Sequence, residues 1–115
     1  MSKFTCDDLN EIAVKIIMLA GDARVLLSEA MQDALSEATK EQINEKTKAA
    51  SEKIAQAHRL QTDIIQETVE ENDLQTTLLF SHAQDSLMTV YSESRTIGLM
   101  IEMYQKLSSK FEKRG

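Results

Sequence analysis

Nothing in the sequence breaks a helix outright: proline is absent and glycine occurs only three times in 115 residues. A fold built on proline-rich turns or glycine loops is thereby excluded. Cysteine occurs once, as Cys6, so an internal disulfide is impossible, and with no CxxC partner the thiol is neither a redox motif nor half of a zinc site. Positive charge is scarce: 13 Lys and Arg stand against 19 Asp and Glu, for a net charge of −6 and a pI near 4.9. Without a cluster of basic residues the chain lacks the footprint that neutralises nucleic-acid phosphates, and its acidic surface suits basic or neutral protein partners. Long apolar runs are also missing. The stretch Ile12 to Ala20 is interrupted by Lys15 and preceded by Asp7, Asp8 and Glu11, which fits neither a signal-peptide core nor a membrane span. The cytoplasm is the compartment these absences indicate. There is no GxSxG, no phosphate-cradling glycine loop and no dinucleotide fingerprint, so conventional small-molecule catalysis and organic cofactors have no support.

What is present is helix-forming sequence. Ala, Leu, Glu, Gln, Lys and Met dominate, 42% of the residues are apolar and 28% charged, and no segment alternates in the manner of a strand. Helix starts are marked where Ser, Thr, Asn or Asp is followed three residues later by an acidic or amide side chain, because the pair satisfies orphan N–H groups. Thr5 with Asp8, Thr39 with Gln42 and Asn72 with Gln75 are three such signals. They predict helices of about 30 residues near 6–37, 40–69 and 73–111, each roughly 45 Å long. Short connections make these antiparallel neighbours, so the expected architecture is all-α: a single domain over 1–115, folded as an up-down-up three-helix bundle. A domain of this size buries about two-thirds of its unfolded surface, enough for one core. Gly21, inside the first helix, costs about 1 kcal/mol relative to Ala. Two explanations are open: close contact with another helix, or a break with Asp22 capping a second segment.

The third helix carries two apolar faces. At about 100° per residue, Leu79, Ala83, Leu87, Val90, Ile97 and Ile101 share one broad face suited to packing on the other helices. Nearly opposite lie Leu78, His82, Asp85, Thr89, Thr96, Met100, Met103 and Leu107, with Gln84, Arg95 and Glu102 along an edge. A three-helix hairpin cannot cover both faces, which implies self-association through the third helix. Asp85 stands on that second face, where an uncompensated carboxylate is costly. It is either paired, neutralised or metal-bound, or it reaches solvent at the edge of the interface; symmetry would bring identical carboxylates together, where they repel without a cation or shared protons.

Two histidines are candidates for chemistry. His82 and Asp85 are three residues apart, hence about 60° apart on one side of the helix. A neutral imidazole is a proton carrier and a nitrogen nucleophile, yet a lone histidine beside an apolar stripe is also a common hydrogen-bonded structural residue. His58, in Ala57-His58-Arg59-Leu60-Gln61-Thr62, has the same two readings, and no zinc spacing joins the pair.

The segment Leu78-Leu79-Phe80-Ser81-His82-Ala83-Gln84-Asp85-Ser86-Leu87-Met88-Thr89 closely resembles the active-site stretch of the lactose/cellobiose-type enzyme IIA of the bacterial phosphoenolpyruvate-dependent sugar phosphotransferase system. Ala20-Gly21-Asp22-Ala23-Arg24 looks like that family's first-helix motif and Ala57-His58-Arg59-Leu60-Gln61-Thr62 like its second, so the resemblance runs in order from about residue 9 to 107. It implies an all-helical subunit that assembles as a homotrimer, with His82 carrying the phosphoryl group. It further implies that Asp85 from three subunits meets at the symmetry axis around a divalent cation, magnesium, and that Gln84 lies near the same cluster. His58, Arg24 and Gly21 fall at family positions with no chemistry assigned. The sequence departs from the pattern at Ser86, where the family commonly has a second histidine, and at Ser81, where a larger residue is common.

The resemblance implies a relay: His82, through Nε2, accepts a phosphoryl group from phospho-HPr and passes it to a cysteine of the cognate enzyme IIB during uptake of a β-glucoside or β-galactoside disaccharide. Such a step needs a neutral ring in a tautomer held by a hydrogen bond, and leaves the protein chiefly to position the groups. Two rivals use the same residues differently. A non-enzymatic helical adaptor would oligomerise through the second face and need no free imidazole, and a regulatory relative would use phosphorylation as a binding switch.

Overall fold

The computed structural model describes residues 4–70 and 76–114 and is all-helical, with no strand among the described residues. Three helices, α1 (Cys6–Leu35), α2 (Lys40–Glu70) and α3 (Leu78–Arg114), fill an envelope of 69 × 20 × 18 Å. The first two starts are capped as expected. The Asp8 N–H donates to Thr5 Oγ1 at 3.1 Å while the Thr5 N–H donates to Asp8 Oδ2 at 3.0 Å, and Thr39 and Gln42 exchange the equivalent bonds at 3.2 Å. The Asn72–Gln75 pair lies outside the described residues. Helix α3 begins at Leu78 rather than near 73, with residues 76 and 77 non-helical. The local reason is Thr77, whose hydroxyl accepts from the Phe80 N–H at 3.1 Å and whose carbonyl accepts from Ser81 at 3.0 Å.

Helix α1 ends at Leu35, two residues short of the expected 37, because Glu37 takes a left-handed conformation with φ of 61°. The Ala38 N–H then reaches back to the Asp33 carbonyl at 2.9 Å and the Glu37 N–H to Ala34 at 3.3 Å, a Schellman arrangement with glutamate where glycine is usual. Neither explanation for Gly21 holds within this chain: the helix runs unbroken through it, and a Cβ built there would meet nothing within 4 Å among the described residues.

One face of each helix builds the core. Leu9, Ile16 and Leu27 of α1 interleave with a run of alanines, Ala13, Ala20, Ala23, Ala30 and Ala34, that lets the neighbouring helices approach closely. From α3 come Phe80, Ala83, Leu87, Val90 and Ile101, all buried, with Leu79 and Ile97 packed partly buried against them, matching the inner face read from periodicity. Helix α1 is the hub, touching both others, whereas α2 and α3 meet sparsely.

Ion pairs record the register. Lys53 of α2 reaches Asp22 of α1 at 4.0 Å and Lys46 reaches Asp33 and Glu29 at 2.6 and 3.8 Å, so the order along α2 is the reverse of that along α1. Arg24 grips Glu93 with two bonds of 3.0 Å across an offset of 69 residues, and Ala30 and Ala34 pack in one cluster with Ile101, so α1 and α3 ascend together. Among the described residues no helix is long and apolar enough to cross a membrane.

Candidate functional site

The first turns of α3 present the candidate chemistry. His82 sits little more than one turn beyond the Thr77 cap, while Phe80 and Ala83 on either side of it are buried in the core. Those anchors fix the helix rotation and turn the imidazole outward, where it is exposed. Neither ring nitrogen has a partner among the described residues, so both are open to a visiting group.

Asp85 is exposed on the same side, and its carboxylate has no partner among the described residues; only its backbone carbonyl is engaged, accepting from Thr89 Oγ1 at 2.9 Å. No group of three or more His, Cys, Asp or Glu residues among those described is placed to hold a metal ion. One chain thus offers one hard oxygen donor suited to a magnesium-like cation, and a filled coordination shell would need Asp85 from further copies. Within that condition the donor fits the implied ion.

Gln84 is not brought beside His82. Two helical residues turn the side chain through about 200°, and it lies half-buried toward the flank facing α2. Ser86, where the family commonly has a second histidine, is half-buried and turned further toward the core than His82. Nor do the two histidines meet. His58 packs edge-on against Tyr91, ring centres 5.7 Å apart and planes at 89°, on the α2–α3 side of the molecule. That contact ties α2 to α3 beside a hollow of about 400 Å³ that Arg59, Ser94 and Ile54 also line. Arg24 is structural in this chain: its hydrogen bonds to Glu93, and then the glutamate's charge, hold the guanidinium pKa above its ordinary value and brace α1 against α3.

Periodicity read on the third helix alone missed what α1 contributes to the outer surface. Leu35 is 56% exposed and, with the partly buried Met31, lies against Met100, Met103 and Leu107, while Val14, Met18 and Val25 are exposed further down. The signal was available in the spacing of 14, 18 and 25, which falls on one side of a helical wheel.

The fold and the site define an all-helical protein that presents an exposed histidine and an exposed carboxylate on one face of its third helix. The comparisons with known proteins narrow this class. The family described as PTS system, Lactose/Cellobiose specific IIA subunit matches residues 11–105. A lichenan-specific phosphotransferase enzyme IIA component of Bacillus subtilis is 32% identical over 109 residues, covering 95% of this chain and 96% of the relative. A lactose-specific EIIA component of Staphylococcus epidermidis is 30% identical over 87% of this chain and 95% of its own. The crystal structure of a PTS cellobiose-specific enzyme IIA from Bacillus anthracis superposes with a TM-score of 0.79 at 31% identity, covering 87% of this chain and 91% of the other. The chain belongs to the lactose/cellobiose-specific IIA subunit family of the phosphotransferase system.

Proposed function

We propose that this protein is a cytoplasmic phosphoryl carrier whose acceptor is His82, loaded by phospho-HPr and unloaded onto a cysteine of a cognate enzyme IIB. The single observation that carries the reading is an exposed imidazole with both nitrogens unengaged, held outward by buried Phe80 and Ala83 in the segment that resembles the family's active-site stretch. In the forward step the Nε2 lone pair of neutral His82 attacks the phosphorus in line. The P–N bond of the donor phosphohistidine, its ring protonated on the other nitrogen, breaks as the new one forms, so that the donor ring leaves as neutral imidazole while Nδ1 of His82 keeps its proton. In the second step the thiolate of enzyme IIB attacks the same phosphorus and His82 leaves as neutral imidazole. Because so little covalent work falls to the protein, alignment of the two partners sets the rate.

The proposal has a structural half. Residues 1–115 form one IIA domain, an up-down-up bundle that assembles through α3 into a homotrimer, and three Asp85 carboxylates converge on the axis. A magnesium ion bound there would neutralise carboxylates that otherwise repel, and its role is assembly rather than transfer. The sugar is a β-glucoside or β-galactoside, in keeping with the lactose, lichenan and cellobiose named for the relatives. A non-enzymatic adaptor has no use for a free imidazole, and the exposure of His82 therefore favours the carrier.

Intact-mass analysis after incubation with phosphoenolpyruvate, enzyme I and HPr, run beside His82→Gln, tests the reading. An acid-labile gain of one phosphoryl group is expected in the wild type alone. Equal gain in both would move the acceptor to His58 or elsewhere, and no gain in either would leave the adaptor. Onward transfer to enzyme IIB separates the carrier from a regulatory relative.

A further inference from the structure

The transfer proposed above needs one tautomer of His82, with the proton on Nδ1 and the lone pair on Nε2, and an unpartnered ring does not select it. A helix sets each side chain against those three and four positions away. For His82 these are Leu78, Leu79, Asp85 and Ser86, of which the first two carry no polar group. Helical side chains lean toward the N-terminus, so Asp85 and Ser86 are the pair that lean back over the turn holding the imidazole. They flank it on opposite sides. Asp85 lies about 60° from His82 on the side away from the core, and Ser86 about 40° away toward α1. The first is exposed and the second half-buried.

The hydroxyl of Ser86 is uncommitted. A serine or threonine within a helix commonly donates to a carbonyl three or four residues back. In α3, Thr89 does so to Asp85 at 2.9 Å and Ser94 to Tyr91 at 2.7 Å. Ser86 makes no such bond, and its Oγ has no partner among the described residues although the residue is half-buried. The backbone beneath it is fixed, because Ala83, Leu87 and Val90 are all buried on the inner face.

We propose that Ser86 is a positioning residue for His82: its Oγ accepts the Nδ1–H of the ring and leaves the Nε2 lone pair free for the phosphorus. The inference rests on the carrier reading and specifies how the acceptor is held. Distance selects the nitrogen. Cβ atoms four residues apart on a helix stand about 5–6 Å from each other. Nδ1 is the ring nitrogen on the Cβ side and Nε2 lies at the far edge, so a short hydroxyl arm meets Nδ1. Charge agrees with this choice, since a hydroxyl, unlike the Asp85 carboxylate, brings no negative charge that would favour the protonated, non-nucleophilic ring. The bond is not closed in the unloaded chain; side-chain rotation closes it, as catalytic hydrogen bonds often tighten only when the partner docks.

The test reads the tautomer and the transfer separately, in the full-length chain. Long-range proton–nitrogen NMR spectra of protein labelled at histidine nitrogen, taken at about pH 8 where an ordinary histidine is neutral, report which nitrogen carries the proton. The His82 signals are those missing from His82→Gln. The wild type is expected to hold the proton on Nδ1. Ser86→Ala is expected to move it largely to Nε2, the form a free histidine side chain prefers in water, and Ser86→Thr to restore the wild-type pattern. In single-turnover acceptance from phospho-HPr, Ser86→Ala is expected to lower the maximal rate roughly 2- to 12-fold, the range of one net hydrogen bond, with the half-saturating HPr concentration unchanged. A wild-type ring protonated on Nε2, or the same tautomer in wild type and Ser86→Ala, overturns the proposal whatever the rates. Loss of the Nδ1 proton in Asp85→Leu but not in Ser86→Ala assigns the role to Asp85 and overturns it as well. A wild type that takes no phosphoryl group overturns the carrier reading instead, and the spectra still decide the role of Ser86.

Discussion

The outward face of α3 changes in proportion along its length. In its first half the exposed His82, Asp85, Thr89 and Thr96 stand among only two large exposed apolar side chains, Leu78 and Met88, apart from the half-exposed Tyr91 on the α2 side, whereas in its second half Leu99, Met100, Met103, Leu107 and Phe111 are between 48% and 73% exposed. The inner face spans the change: Phe80, Ala83, Leu87, Val90 and Ile101 are all buried. The shared inner face fixes the rotation of the whole helix, so the groups proposed for exchange and the groups proposed for assembly share its outward side at different heights.

The sharpest way to break the comparison is to change one half and ask whether the other responds. His82→Gln is expected to lose phosphoryl acceptance completely in the enzyme I and HPr assay. Because the ring is exposed and unpartnered among the described residues, stability should stay within about 0.5 kcal/mol of wild type. A marked fall in Tm would instead make His82 a structural residue and erase the first half as a site. The inner face predicts the converse. Leu87 is fully buried at 0% exposure, and Leu87→Ala is expected to cost about 2–5 kcal/mol by calorimetry. Phosphoryl acceptance should survive below the new Tm, since nothing in the transfer step touches Leu87.

Asp85 lies between these extremes. Under the axial-cation proposal, EDTA lowers the Tm of the wild type by a few degrees and leaves Asp85→Leu unmoved, while the variant remains assembled because leucine adds apolar surface to the same face. Chelation that shifts both proteins equally would place the metal effect elsewhere. This prediction needs several copies, since one chain supplies one donor.

Much of this division was legible before any coordinates. The inner face of α3 followed from its period, and the Thr5 and Thr39 starts from their capping partners, because those signals are local. The start of α3 was misplaced by five residues: Thr77 captures the Phe80 N–H with its own hydroxyl, without an acidic or amide partner three positions on to mark it. His82 and Asp85 were found by resemblance and spacing, and their exposure follows from the inner face. Gln84 was placed near the Asp85 cluster by the resemblance alone; within one chain helical rotation turns it away from His82. The contribution of Met31 and Leu35 was invisible, because it depends on the α1–α3 offset that the distant pair Arg24 and Glu93 records.

The junction that lets α2 fold back offers a smaller effect with the opposite sign. Glu37 occupies a left-handed position that costs an L-residue with a side chain about 1 kcal/mol or somewhat more. Glu37→Gly is expected to raise stability by roughly 0.5–1 kcal/mol, the gain reduced by glycine's larger unfolded-state entropy. Urea unfolding of the two proteins side by side reads the difference, and no gain would mean that the glutamate side chain contributes where it stands, beside Lys40 in the hollow between the α1–α2 junction and α3.

The smallest effect concerns the α1–α2 side, remote from both halves of the α3 face. Lys46 is held above the usual lysine pKa, first by its hydrogen bond to Asp33 and then by the charges of Asp33 and Glu29, with desolvation opposing them. A base whose pKa is raised on folding contributes its full stabilisation below the unfolded value and loses it as pH climbs through the folded one. The stability difference between wild type and Lys46→Met is therefore expected to stay level from pH 7 to about 9 and to shrink only in the alkaline range where lysine deprotonates. Urea unfolding at a series of pH values reads it out. A decline between pH 7 and 9 would assign the effect to another group and remove Lys46 as the clasp between α1 and α2. Phosphoryl acceptance should be indifferent to the variant throughout, because Lys46 braces the two helices well above the level of His82.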